Sequence, residues 1–171
     1  MLHLILNNSF TTHNPLGFSI SGSKSISQRA LIINYLSGCN YQINNLSNSS
    51  DTLLLHNAIQ SKKTIINVEN SGTTLRFSLS LFALQNREIT LIGEKYLFQR
   101  PIKLLIDSLN ILGANIIKKE NNIIIKRGNL IGGELDFKSI NTSQFISSLL
   151  LIAPYLRGGI KLNFPKKLYS K

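Results

Sequence analysis

Three times along this chain a short run of small, mostly hydroxyl-bearing residues passes into an almost wholly apolar segment. The copies are SGSKSISQRALIINYL at 21–36, NSGTTLRFSLSLFALQ at 70–85 and NTSQFISSLLLIAPYL at 141–156. Repetition on this scale means a fold assembled from copies of one supersecondary unit, each needing its neighbours to bury its apolar side. The runs Ala30–Leu36, Phe77–Leu84 and Phe145–Ala153 are too uniformly apolar for surface helices, so they are expected as inner helices of a core. After them, Tyr41–Leu46, Ile89–Ile92 and Ile160–Phe164 show the short apolar or alternating pattern of strands.

Outer helices are expected over Thr52–Gln60, with Asp51 as N-cap, and over Ile102–Leu112, with Pro101 in the first turn and Gly113 closing it. Further strands are expected at Thr64–Val68, closing the first unit, and at Ala114–Lys119 and Asn122–Arg127, the last two joined by a turn at Asn121-Asn122. The unit reads β-α-β-α-β-β, used three times with the third copy truncated. The fold class is α/β.

With 171 residues, 43% hydrophobic and 16% charged, the chain can bury a real core and is globular rather than disordered. No stretch of eighteen apolar residues offers itself to a membrane. The opening MLHLILNNSF has no basic segment ahead of its apolar one and no small-residue cleavage site after it, so no signal peptide is expected. A lone cysteine, Cys39, excludes an internal disulfide framework and fits a reducing, cytoplasmic setting. His3, His13 and His56 lack metal-ligand spacing, so no metal site is expected.

Charge narrows the partners. Nineteen basic against eight acidic residues give a net +11 and favour anionic partners, either nucleic acid or small phosphorylated and carboxylated molecules. For most of the lysines a solvated surface in an Asn-, Ile- and Lys-rich composition is an equally good explanation. The cluster Gly22-Ser23-Lys24-Ser25-Ile26-Ser27-Gln28-Arg29 opens the first inner helix. It reads either as an anion cradle, with Lys24 a point charge and Arg29 a bidentate fork, or as a capped helix with a solvated lysine. It is not a phosphate-binding loop of the G-x-x-x-x-G-K type. Glu69-Asn70-Ser71-Gly72-Thr73-Thr74-Leu75-Arg76 opens the second, where Gly72 permits close backbone approach. Asn141-Thr142-Ser143-Gln144 opens the third, and taken alone is an N-cap. Arg76, beyond the first helical turn, is read as structural.

Taken together, GSKSISQR, NSGTTLR, QRPI and TSQF, in this order, resemble the enolpyruvylshikimate-phosphate synthase family, and the terminal Tyr-Ser-Lys resembles the start of its Ser-Lys-Pro-Tyr segment. The likeness covers residues 18 to 171. It implies a domain of three β-α-β-α-β-β units, with 21–171 as a first domain incomplete at its C-terminus and 1–20 packing with a second domain that carries further site residues. It also implies transfer of an enolpyruvyl group from phosphoenolpyruvate to shikimate 3-phosphate without a cofactor, by a chain inactive on its own. Such a chain is either a fragment, a truncated or split gene product, or one piece of a two-chain enzyme whose partner supplies the other half. By the same resemblance Lys24 lies between the two substrates. Ser25 and Arg29 serve the shikimate side, Thr142, Ser143 and Ser170 hold the 3-phosphate, and Gln144 reaches both substrates. Asn70, Gly72 and Arg100 serve phosphoenolpyruvate. Two departures stand out: threonine at 142 where serine is frequent, and Glu69 where glycine is frequent, a carboxylate that would weaken anion binding if it faced the site. Asp51 matches an acidic position of the family, but a capping role suffices for it. The sister family acting on UDP-N-acetylglucosamine fits the GSKSISQR and TSQF pair less well. A nucleic-acid-binding domain is disfavoured by the scarcity of basic residues interleaved with aromatics.

Overall fold

The computed structural model describes residues 19–39, 41–137 and 142–164. Along the chain come α1 (Lys24–Leu36), α2 (Ser50–Gln60), β1 (Ile65–Asn67), α3 (Gly72–Leu84), β2 (Ile89–Ile92), α4 (Lys95–Gln99) and α5 (Lys103–Ile111). They are followed by β3 (Asn115–Lys118), β4 (Asn122–Lys126), β5 (Gly133–Asp136), α6 (Ser143–Ile152), a 3-10 turn over Ala153–Tyr155 and β6 (Ile160–Asn163). No helix among the described residues is long and apolar enough to cross a membrane.

Local chemistry sets several of these boundaries. Ser49, Ser71 and Thr142 hold extended backbone ahead of α2, α3 and α6, and their hydroxyl oxygens accept from the N–H groups of Thr52, Thr74 and Gln144. The cap of α2 is therefore Ser49 and not Asp51, which lies inside the first turn with its carboxylate free for other work. Gly113, at φ +105, closes α5. Its N–H bonds the Asn110 carbonyl at 3.0 Å while Ala114 reaches back to Leu109 at 2.9 Å, the double closure that a left-handed residue allows.

The sheet identifies the repeat. β1 pairs in parallel with β2, Ile66 opposite Leu91, and β4 then β3 add antiparallel to give the order β1-β2-β4-β3. Parallel neighbours require a crossover, and α3 supplies it. Hence β1 opens the second unit instead of closing the first, and β1-α3-β2-α5-β3-β4 is one full β-α-β-α-β-β unit with the short α4 inserted. The parallel pair β5 and β6, crossed by α6, repeats its first half. The strand expected over Tyr41–Leu46 does not form. Asn45 turns the chain at φ +52, and the Asn34 side-chain amide holds both the Tyr41 N–H and its carbonyl, which removes them from any ladder. The β3–β4 turn is Glu120-Asn121, one residue earlier than expected, because the Lys119 N–H closes on the Asn122 carbonyl.

At the centre, every residue of α3 except Arg76 and Leu84 is buried. Helices α2, α5 and α6 and strand β4 surround it. Ile89 and Leu91 of β2 face the core beside Ile125 and Ile123 of β4, all four fully buried. Only α3 is enclosed all round. Helix α1 buries Ser27, Gln28, Leu31 and Ile32, and α6 buries Phe145, Ser148, Leu149 and Ile152, while Ile33 and Leu150 stay 55% and 53% exposed. The expectation of three fully interior helices is thus met by one.

Candidate functional site

Three helix starts gather at one end of the molecule. Contacts between α3 and α6 advance in step, from Thr73 and Arg76 against Gln144 to Ser80 against Ser148, so the two helices run parallel with their N-termini together. Arg29, in the second turn of α1, donates to the Ser147 hydroxyl in the second turn of α6 at 2.8 Å and lies over the Phe77 ring of α3. That contact brings the start of α1 to the same end. Helix N-termini present free N–H groups and a partial positive charge, which suit anions.

Between α3 and α6 lies a compact cationic cluster. Gly72 opens α3, and a Cβ built on it would stand 2.8 Å from Arg76 Nη1 and 3.2 Å from Arg100 Nη1. Glycine is what lets two guanidiniums flank this helix start. Arg76 follows Gly72 by four residues and so shares its face of α3. Arg100 comes from the end of α4 and rests over the Tyr96 ring. Arg76 Nη1 donates to Gln144 Oε1 at 2.8 Å, Gln144 Nε2 donates to Thr73 Oγ1 at 3.1 Å, and the Arg76 guanidinium lies over Phe145. Burial first, and the neighbouring Arg100 charge second, hold the Arg76 pKa below its ordinary value. Its Nε is buried and meets no acceptor among the described residues.

A second grouping joins α1, α2 and α3. Lys24 Nζ pairs with Asp51 Oδ2 at 2.9 Å. The Asp51 carbonyl accepts from Gln28 Nε2 at 3.1 Å and Thr74 Oγ1 at 3.3 Å. Among the described residues the ion pairs are Lys24–Asp51, Lys95–Glu120, Lys103–Asp107 and Lys161–Glu134, and none involves an arginine. Arg76 and Arg100 flank Gly72, and Arg29 lies at the same end of the molecule, with none of the three paired to a carboxylate among the described residues. Such an arrangement favours a ligand carrying phosphate or carboxylate groups.

Of the residues expected from the sequence, the structure brings Gly72, Arg100 and Gln144 together, and joins Arg29 to α6. Ser25 is exposed and contributes its carbonyl to Arg29 Nη1 at 2.7 Å. Thr142 caps α6, and Ser143 is exposed in its first turn. Asn70 is exposed in the turn before Ser71. Glu69 occupies that same turn at φ +46, exposed, with its carboxylate paired to no arginine among the described residues. Ser170 lies outside the described residues. Two participants were read from the sequence as structural, Arg76 and Asp51. For Arg76 the signal was available, since a spacing of four from Gly72 puts both on one helix face. Thr73 was read only as a member of the cluster that opens α3, and Ser147 was not singled out.

The model of the family described as EPSP synthase (3-phosphoshikimate 1-carboxyvinyltransferase) matches residues 55–170. A 3-phosphoshikimate 1-carboxyvinyltransferase of Bacteroides fragilis (strain YCH46) is 34% identical over 156 residues, covering 89% of this chain and 38% of the relative. One from Nitrosopumilus maritimus is 33% identical over 172 residues, covering 87% of this chain and 41% of the relative. Two solved structures of EPSP synthase from Acinetobacter baumannii superpose with TM-scores of 0.69 and 0.72 at 19% and 18% identity, each covering 90% of this chain and 41% of theirs. At these identities the structures speak to the fold. The chain spans about two-fifths of the length of the relatives it matches.

Proposed function

Since the chain belongs to the EPSP synthase (3-phosphoshikimate 1-carboxyvinyltransferase) family, we propose that it forms the first-domain part of a site that transfers the enolpyruvyl group of phosphoenolpyruvate to shikimate 3-phosphate and releases inorganic phosphate. The observation that carries this reading is the convergence of Arg76, Arg100 and Gln144 around Gly72, with Arg29 at the same end and, among the described residues, no arginine paired to a carboxylate. Two polyanionic substrates can be brought into contact only where fixed cations and backbone donors offset their repulsion.

In this reading Lys24 stands between the substrates. Arg29 and Ser25 take the shikimate side, Thr142, Ser143 and Ser170 take the 3-phosphate, and Gln144 serves both substrates. Asn70, Gly72 and Arg100 hold phosphoenolpyruvate. Residues 21–171 then belong to the first domain, and 1–20 pack with a second domain that holds further site residues. The protein works in the cytoplasm on small molecules, with no cofactor and without nucleic acid or membrane, and is inactive alone.

Calorimetric titration with shikimate 3-phosphate, beside inorganic phosphate as control, tests the reading. The chain alone is expected to prefer shikimate 3-phosphate, to bind more weakly as salt rises, and to release no phosphate from phosphoenolpyruvate. Equal affinity for the two ligands, or no binding of either, overturns the substrate assignment. Phosphate release by the chain alone overturns its dependence on a second half.

A further inference from the structure

We propose that Asp51 is a positioning residue that holds the Lys24 ammonium in place where α1 meets α2; this rests on the reading that Lys24 contacts substrate. Three observations point to it. Ser49 caps α2, so the Asp51 carboxylate is not consumed by the helix and instead meets Lys24 Nζ at 2.9 Å. The Asp51 main chain is fixed from both sides, its carbonyl accepting from Gln28 of α1 and Thr74 of α3, side chains that are 1% and 0% exposed. A carboxylate one carbon from so constrained a backbone has little room to move. Lys24, by contrast, is a half-exposed lysine on the first turn of α1, a four-carbon stem with large rotamer freedom and no other hydrogen bond among the described residues.

The physical consequence has a definite sign. By charge alone, a carboxylate at the edge of a cationic site repels an anionic ligand, so its removal should tighten binding. By positioning, it orders the lysine before the ligand arrives, so its removal should weaken binding by the cost of immobilising one such side chain, about 2- to 10-fold. The geometry, with Asp51 pinned by two helices, favours the second effect. Ion pairs this exposed add little to stability, so the melting midpoint should scarcely change.

The test is a double-mutant cycle with Asp51→Asn and Lys24→Ala, read by calorimetric titration of shikimate 3-phosphate and by melting midpoint. Asp51→Asn keeps the shape of the side chain and the backbone bonds. It is expected to weaken binding by about 2- to 10-fold, Lys24→Ala by more, and the double variant by no more than Lys24→Ala. If Asp51→Asn binds as tightly as the parent, or tighter, while Lys24→Ala binds less, the positioning role is wrong and the substrate reading of Lys24 stands. A double variant weaker than Lys24→Ala means that Asp51 acts by another route, which also overturns the proposal. If Lys24→Ala binds like the parent, or the parent does not bind at all, the substrate reading fails and the proposal with it.

Discussion

Arg29 is a strut whose guanidinium keeps donors to spare. Its Nη1 and Nη2 donate to the Ser25 carbonyl and the Ser147 hydroxyl, yet each terminal nitrogen keeps a second N–H that a carboxylate could accept. Lysine can replace the charge but not the fork. Arg29→Lys is therefore expected to cost about 1.5–3 kcal/mol in shikimate 3-phosphate binding and only about 0.5–1.5 kcal/mol in unfolding free energy, from the lost bond to α6. Calorimetry and denaturant unfolding of the same variant check the split, and a loss of stability with unchanged binding would leave Arg29 a strut only. At this scale the sequence was legible where chemistry is local. Ser71 and Thr142 announce helix starts because hydroxyls before an apolar run cap them. The partner of Arg76 was not legible, because Gln144 lies 68 residues away and only the packing of α3 on α6 introduces them. Asp51 misled for a related reason. An acidic residue just ahead of an apolar run reads as a cap, but the helix starts earlier, at Ser50, and its cap is Ser49.

Among the elements, α3 and α6 have nearly the same apolar composition and different fates. Leu79 of α3 is fully buried, whereas Leu150 of α6 is 53% exposed beside Ile33 of α1. Leu79→Ala should cost about 2–5 kcal/mol and Leu150→Ala well under about 1 kcal/mol, as measured by urea unfolding. Similar losses at the two sites would mean that the outer side of α6 is covered. Composition suggested both helices were interior, and only the surroundings of each decide. The sheet was legible where short β-branched and apolar runs stand, Ile-Thr-Leu-Ile in β2 and Ile-Ile-Ile in β4, but β5 was not, since Gly-Glu-Leu-Asp carries no strand signal until β6 lies beside it. That pair has its own pH signature. The bonds from Lys161, and next from Asn163, hold the exposed Glu134 carboxyl below the ordinary carboxylate range, and Glu134 in turn raises Lys161. A lowered carboxylate contributes stability above its unfolded value of about 4.3 and loses it as pH falls through the lower folded value. A raised lysine contributes below about 10.4 and loses it as pH climbs through the higher folded value. The melting difference between the parent and Glu134→Gln should thus be present from about pH 5 to 10 and vanish in acid. A difference that persists near pH 2 would show that the pair does not titrate as its geometry requires.

For the whole molecule, net charge and site charge pull salt dependence in opposite directions. A chain of +11 repels itself when compact, and that repulsion is screened once the Debye length falls from about 30 Å at 0.01 M to about 8 Å at 0.15 M. Sodium chloride should therefore raise the melting midpoint by a few degrees, since about 1 kcal/mol moves a chain of this size by ~2–4 °C. The same salt should weaken anionic ligands, because their attraction to Arg29, Arg76 and Arg100 is screened with it. Sulfate at equal ionic strength adds a further increment if it occupies the site, by mass action on the folded state, together with its general stabilising effect on burial. Arg100→Gln separates these contributions. Arg100 is exposed and borders Gly72, so its loss should leave the chloride response intact and shrink only the extra rise in sulfate. Differential scanning fluorimetry of the parent and this variant in the two salts makes the comparison. A midpoint that falls with sodium chloride would mean that attractive surface pairs outweigh self-repulsion. An undiminished sulfate increment in Arg100→Gln would mean that the guanidiniums around Gly72 do not take up an anion.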